Sequence, residues 1–142
     1  MAGWPGDGAA LDGRSGDEVL GMRVVLVGAL NGAFAVAAGA FGAHLLDGRV
    51  ALADADVFRT AVMYQGLHAA VLVAMGALRG HVVDGLLTAA SWAMALGVII
   101  FSFSLYALAL GGTTSIGMVT PVGGGLLIVG WLLLAVSAAR RV

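Results

Sequence analysis

One apolar run, residues 58–78 (FRTAVMYQGLHAAVLVAMGAL), constrains the fold of this chain more than any other feature. A helix of that length rises about 30 Å, which is the thickness of the hydrocarbon core of a bilayer. Arg59 is its only charge, but Tyr64, Gln65 and His68 interrupt its apolar residues. Helical residues three and four apart share a face, and lipid would leave the polar atoms of these side chains unpaired. The run therefore predicts a membrane span whose polar face turns towards other spans.

The composition predicts an integral membrane protein. Of 142 residues, 61% are hydrophobic and 11% are charged, with a mean hydropathy of +1.02, whereas a soluble domain has about 25% charged residues. The net charge of -1 predicts no nucleic-acid partner, because nucleic-acid binding requires a basic patch. Cysteine is absent, which excludes disulfides, thiolate metal sites and a cysteine nucleophile.

The chain is predicted to be all-α, with one four-helix transmembrane domain at residues 22–142. The four apolar runs place the spans at about 24–46, 58–78, 86–110 and 122–139. Residues 1–21 are rich in glycine and aspartate and lack helical periodicity, which predicts a disordered tail or an upstream mis-start before Met22.

The arginines predict the orientation, since the chain has no lysine. Four spans place Arg49 and Arg59 on one side of the membrane, and the remaining arginines on the other: Arg14, Arg23, Arg79, Arg140 and Arg141. The positive-inside rule then predicts that both termini are cytoplasmic, in a multi-pass protein of the bacterial cytoplasmic (inner) membrane.

Small residues recur where spans are expected to pack closely. Helix backbones approach one another in membranes through such residues, because lipid removes the hydrophobic drive for association. The first span has the most of them and is expected to be the central helix. The predicted packing positions are Gly28, Gly32, Gly39, Ala43, Gly97, Gly123 and Gly124.

Several polar side chains are predicted to form one layer in the outer half of the bundle. Their depths follow from about 1.5 Å per residue, counted from the predicted outer helix ends. Asn31 is counted into the inner half, and Tyr106 or Ser102 is the expected partner of His68. The predicted layer consists of His44, Tyr64, Gln65, His68, Ser102 and Tyr106.

No cofactor or metal is expected in this layer. Two histidines in a small bundle raise the possibility of a bis-histidine haem, whose axial ligands must lie at nearly the same depth. His44 and His68 differ by about 12 Å along their helices, so we expect neither haem nor another metal.

Two functional classes remain for such a protein. In one it is structural or accessory to a membrane complex, and the polar layer holds the helices together. In the other the layer binds a lipid-soluble small molecule with a quinone-like headgroup, or forms a proton path around His68. An enzyme is not expected, because no nucleophile–base pair, HExxH motif or phosphate loop occurs. The predicted partners are the lipid bilayer and other membrane proteins or further copies of the chain.

Five short strings carry a resemblance to a known family. They are GAFGAH (39–44), FRTAVMYQGLH (58–68), FSFSLY (101–106), TPVGG (120–124) and GW (130–131). In this order and spacing they resemble the motifs of small four-helix membrane proteins grouped as domain-of-unknown-function family 423, which are similar to a eukaryotic small transmembrane protein. The resemblance covers Met22 to about Ala135. It implies the four-span fold and no particular activity.

Overall fold

The structure, a computed structural model, describes residues 16–46, 51–79, 84–140 and 142. Helix α1 is Gly16–Phe41, which continues as a π-helical turn at Gly42–Leu46. The helices that follow are α2 (Leu52–Ala77), α3 (Asp84–Ala109), the short α4 (Thr114–Gly117) and α5 (Thr120–Ala139). Four of the described helical segments are long and apolar enough to cross a membrane, which confirms the predicted all-α bundle of four spans.

All four long helices begin earlier than the sequence predicted, and the difference is largest for α1 and α2. Helix α1 starts at Gly16, so residues 16–21, which were assigned to the tail, are helical. Gly21 at the end of this segment packs closely on α2, since a Cβ there would lie 3.0 Å from the carbonyl oxygen of Gly76. Helix α2 starts at Leu52, although its first turns are polar and exposed. The rest of the predicted tail, residues 1–15, lies outside the described residues.

Neighbouring long helices run antiparallel. Gly28 of α1 lies against Val73 of α2, whereas Gly42 near the end of α1 lies against Phe58 near the start of α2. Two ends of the bundle follow from this arrangement. The terminal end is where α1 and α3 begin and α2 and α5 finish, and the loop end is the opposite one.

The central helices are α2 and α3. Helix α1 packs chiefly on α2 and only weakly on α3, while α5 packs chiefly on α3. The prediction that the first span is central was therefore wrong, because its small residues serve mainly one neighbour. The core between α2 and α3 contains Leu72, Met75, Leu87, Met94 and Val98, all at most 1% exposed.

Glycines permit the closest helix contacts. A Cβ added at Gly28 would lie 2.9 Å from the carbonyl oxygen of Ala69, and one at Gly97 would lie 2.9 Å from the backbone nitrogen of Leu127. Gly123 is tighter still, with 2.5 Å to the backbone nitrogen of Phe101. At these positions any side chain would force the helices apart.

The other predicted packing positions are looser. A Cβ at Gly32 would meet only the Ala69 Cβ at 3.7 Å, and one at Gly39 would lie 3.4 Å from a methyl group of Val62. Gly124 also has room, and Ala43 is exposed. The close contacts of α1 therefore occur towards the terminal end, and its backbone diverges from α2 beyond them.

We expect Gly123→Ala to lower the free energy of unfolding in detergent or bicelles. The added methyl group meets the α3 backbone, and overpacking of this kind costs about 1–3 kcal/mol. Gly125→Ala is the matched control on the same helix, because nothing lies within 4 Å of a Cβ there. The control should gain up to about 1 kcal/mol through helix propensity. Equal stabilities of the two variants would contradict the proposed α3–α5 contact.

Candidate functional site

Three buried side chains from three helices form a continuous hydrogen-bonded chain, which we call the amide network. The Tyr106 hydroxyl of α3 donates to Oε1 of Gln65 on α2 at 2.8 Å. The Gln65 Nε2 donates to Oδ1 of Asn31 on α1 at 3.2 Å. The Asn31 Nδ2 in turn donates to the Val27 carbonyl, one turn earlier on α1, at 2.9 Å. The network therefore links α1, α2 and α3 through one residue of each.

Backbone chemistry fixes the direction of every bond in the amide network. The Val27 carbonyl can only accept, so the Asn31 nitrogen faces it and the Asn31 oxygen accepts from Gln65. The Gln65 oxygen is then left to accept from Tyr106. The alternative amide orientations would place two acceptors or two donors against each other.

Helix geometry explains why distant residues meet in this network. Side chains of a helix lean towards its N-terminus, so those of antiparallel neighbours lean in opposite directions. Tyr106 lies near the loop end of α3 and leans towards the middle of the bundle, where it reaches Gln65 of α2. Both side chains are buried, at 6% and 1% exposure.

The amide network lies near the midpoints of α1 and α2 and joins two residues of the predicted layer, Gln65 and Tyr106, to Asn31. Since α2 begins at Leu52, Gln65 is close to the midpoint of that helix, and Asn31 is at the midpoint of the span Glu18–His44. Helix α2 extends from the predicted residue 58 back to Leu52, so Gln65 lies farther from that helix end than the predicted count assumed. Asn31, which was counted into the opposite half, belongs with Gln65. The pairing of Asn31 with Gln65 could have been predicted from the sequence, because each of two consecutive spans has one amide side chain near its centre.

His68 makes a separate contact, with α5. The indole Nε1 of Trp131 donates to His68 Nε2 at 3.3 Å, and the Nδ1 atom lies 2.8 Å from the carbonyl oxygen of Tyr64. Since Nε2 accepts, the hydrogen belongs on Nδ1, which donates to that carbonyl. The predicted partners, Tyr106 and Ser102, were wrong. Gln65 and His68 are separated by about 60° around α2, so one faces α1 and α3 while the other turns towards α5.

The remaining predicted residues do not join the hydrogen-bonded network. The half-buried Tyr64 ring lies between the rings of His68 and Phe101, with centroid distances of 5.8 and 4.7 Å. Ser102 is fully buried, and its Oγ has no hydrogen-bond partner among the described residues. His44 is exposed in the π-helical turn. It lies about 20 Å along the helix beyond the level of the network, which explains its separation.

Helices α3 and α5 share a hydrogen bond that sequence reasoning missed. The Ser104 and Thr120 hydroxyl oxygens lie 2.8 Å apart, and the Ser104 hydroxyl also lies 2.9 Å from the Phe101 carbonyl oxygen. Such bonds within the same turn are common for serine in helices. The contact with Thr120 ties the start of α5 to the loop end of α3.

A groove of about 310 Å³ opens over the amide network, between α1 and α3. The two amides are 8% and 1% exposed, whereas the apolar walls are 39–62% exposed. We call this the amide groove, since the amides lie at its floor. Its lining consists of Leu30, Asn31, Phe34, Gln65, Ile99 and Phe103.

A second groove, of about 560 Å³, follows the small residues between α1 and α2. Gly32 and Gly39 line it, consistent with the space that remains beside their backbones. Its lining is limited to glycine, alanine and valine. This groove therefore offers no side-chain hydrogen bond to a ligand.

Charged groups provide no metal centre in the part of the chain that the structure describes. That part contains no group of three or more histidine, aspartate and glutamate side chains that could hold an ion. Asp56 and Arg59 form an exposed ion pair at 2.8 Å near the start of α2. Exposed pairs of this kind contribute little to stability.

These features define a small polytopic helical membrane protein with hydrogen-bonded polar side chains buried between its spans. A family model described as "Protein of unknown function (DUF423)" matches residues 38–124, and the chain belongs to that family. No solved structure matches the chain.

Curated relatives cover most of the chain. UPF0382 membrane protein SSP2132 of Staphylococcus saprophyticus is 40% identical over 120 residues, which are 84% of this chain and 99% of that protein. UPF0382 membrane protein YwdK of Bacillus subtilis is 36% identical over 121 residues, 84% of this chain and 98% of that protein. UPF0382 inner membrane protein YgdD of Escherichia coli is 33% identical over 117 residues, 82% and 89% of the two chains. These relatives confirm the predicted family and the location in the bacterial cytoplasmic membrane, and their names state no activity.

We expect Tyr106→Phe to destabilise the bundle. The variant removes the hydroxyl that donates to Gln65, and such bonds in membrane proteins contribute about 0.6 kcal/mol on average and up to about 1.7 kcal/mol. Tyr64→Phe is the matched control, because the Tyr64 hydroxyl makes no hydrogen bond within the described residues. Unfolding free energies in bicelles should separate the two variants. A larger loss from the control would show that the network is misassigned.

The His68 ring should be the neutral Nδ1–H tautomer in the folded protein. Nitrogen-15 chemical shifts of labelled histidine at neutral pH distinguish this tautomer from the Nε2–H form and from imidazolium. Trp131→Phe should shift the Nε2 signal and leave Nδ1 nearly unchanged, because only Nε2 accepts from the indole. An Nε2–H tautomer would contradict the contact with α5.

Proposed function

We propose that this protein is a structural or accessory component of the bacterial cytoplasmic membrane and not an enzyme. The observation that carries this proposal is that five of the buried polar side chains, Asn31, Gln65, His68, Ser104 and Tyr106, are hydrogen-bonded across helices. Gln65 links α2 to both α1 and α3, His68 links α2 to α5, and Ser104 links α3 to the start of α5. These bonds favour a stable scaffold over a reactive centre.

The interhelical hydrogen bonds contribute little to the free energy of unfolding, and their main role is to fix the register of one helix against another. At about 0.6 kcal/mol each, the four interhelical bonds described above together contribute roughly 2 kcal/mol. A shift of α1 by one turn along α2 would move Asn31 about 5.4 Å from Gln65 and break the hydrogen bond between the two amides in an apolar interior, while Asn31 kept its bond to Val27 and Gln65 its bond to Tyr106. Buried polar groups are well attested as devices that fix helix register.

A proton path around His68 is less favoured by this geometry. His68 accepts from Trp131 at one ring nitrogen and faces a backbone carbonyl with the other. An indole nitrogen donates only, so it cannot accept a proton and pass it on. We therefore assign His68 to the link between α2 and α5.

We propose that both termini are cytoplasmic. Among the described residues Arg23, Arg79 and Arg140 lie towards the terminal end of the bundle, whereas Arg59 lies near the loop end and pairs with Asp56. The positive-inside rule then orients the terminal end towards the cytoplasm. Green fluorescent protein fused after Val142 should fluoresce, and alkaline phosphatase fused there should be inactive. An active phosphatase fusion would reverse the proposed orientation.

An accessory role requires a stable partner in the membrane. Extraction of tagged protein into polymer-bounded nanodiscs retains neighbouring proteins and lipid, and native mass spectrometry then gives the composition of each particle. We expect particles in which the chain is stoichiometric with a second copy or with another integral membrane protein. Particles that contain a single copy of this chain and lipid alone would contradict the accessory role.

A further inference from the structure

We propose that the amide groove between α1 and α3 binds a neutral, lipid-soluble molecule that presents a carbonyl oxygen on a flat ring, as quinones do. This site shares Gln65 with the predicted polar layer but lies apart from His68, which faces α5. It adds a ligand to the structural role proposed above and does not depend on that role.

Unused hydrogen-bond donors at the floor of the groove define the polar end of the ligand. A primary amide has two N–H groups, and Asn31 and Gln65 each use one of them, towards Val27 and Asn31 respectively. Each amide therefore retains one N–H for which the described residues supply no acceptor. Buried N–H groups without an acceptor are rarer than carbonyls with a spare lone pair. A ligand that offers a carbonyl oxygen would satisfy these donors.

The depth of the groove requires an uncharged ligand. Asn31 is at the midpoint of its span, about 20 Å along α1 from either end of that span. No described charged side chain lines the groove, and an ion at such depth would be costly. Ester carbonyls of ordinary phospholipids lie near the interface, outside a hydrocarbon core about 30 Å thick. A free molecule that dissolves within the core can reach these amides.

The groove walls favour a flat ring over a partner helix. Helices approach each other in membranes through small residues, but the walls here are Leu30, Phe34, Ile99 and Phe103, which would hold another backbone away from the floor. The Phe34 and Phe103 rings lie 5.0 Å apart between centroids and offer aromatic faces and edges to a ring. The volume of about 310 Å³ is at the lower limit of small-molecule pockets.

Two tryptophan substitutions on one helix test this proposal without removing a polar group. Leu30→Trp fills the mouth of the groove at a side chain that is already 62% exposed. Leu26→Trp is its matched control, because Leu26 is one turn earlier on α1, is 58% exposed and does not line the groove. The probe is decylbenzoquinone, titrated into each protein in nanodiscs of defined lipid, with thermal stabilisation of the protein as the readout. Ligands that bind only the folded state raise its melting temperature.

We expect saturable stabilisation of the parent chain and of Leu26→Trp, and loss of that saturation in Leu30→Trp. Decylbenzene, which has the ring and tail without carbonyls, should give no saturable shift. Dioleoylglycerol distinguishes ester carbonyls from ring carbonyls, and saturation by this lipid but not by the quinone would overturn the proposed ligand class. Absence of saturation in the parent chain, or equal saturation in both tryptophan variants, would overturn the site.

Discussion

The fold depends on how a single glutamine is satisfied in an apolar interior. Gln65 is 1% exposed, and in lipid-like surroundings an unpaired amide costs several kcal/mol. It donates to α1 and accepts from α3, so both hydrogen bonds form only when both helices are in place. Apolar contacts bring the helices together, and this side chain selects the arrangement in which they pack.

Helices α1 and α5 are held to the central helices by different combinations of glycine contacts and polar contacts. Helix α5 is attached to α3 through close backbone approach at Gly97 and Gly123, where an added methyl group would find no room, and at Gly130, where it would fit only tightly. Helix α1 approaches α2 as closely only towards the terminal end, at Gly28 and Gly76. Farther along, it leaves a groove on each side, and the Asn31–Gln65 bond bridges the gap. The amide groove is a consequence of this looser packing.

Much of the fold could be predicted from the sequence because bilayer thickness fixes the length of an apolar run. The four spans, their all-helical class and the inward polar face of α2 follow from that constraint. Helix ends could not be predicted as well, because polar turns such as those after Leu52 continue a helix beyond its apolar part. The longer α2 places Gln65 nearer the level of Asn31 than the predicted helix end implied.

The hydrogen-bond partner of a buried side chain was harder to predict than its burial. The sequence indicated that His68 faces inward, and it is 3% exposed, but its partner is Trp131 of α5. A rotation of about 60° around α2 determines whether a side chain faces α3 or α5, and the rotation of α2 in the bundle depends on how the helices pack. The same limit applies to the glycines, since Gly28 and Gly32 look alike in sequence and differ only in what lies opposite.

A double-mutant cycle between Asn31 and Gln65 measures how strongly the two buried amides depend on each other. Asn31→Leu and Gln65→Met each leave the other amide short of a partner, whereas the double variant replaces the pair with apolar side chains. Unfolding free energies of the four proteins, measured in bicelles, give the coupling between the two residues. We expect the double variant to lose clearly less stability than the sum of the two single losses. Strictly additive losses would show that the two amides do not depend on each other and that Gln65 does not select the packing of α1.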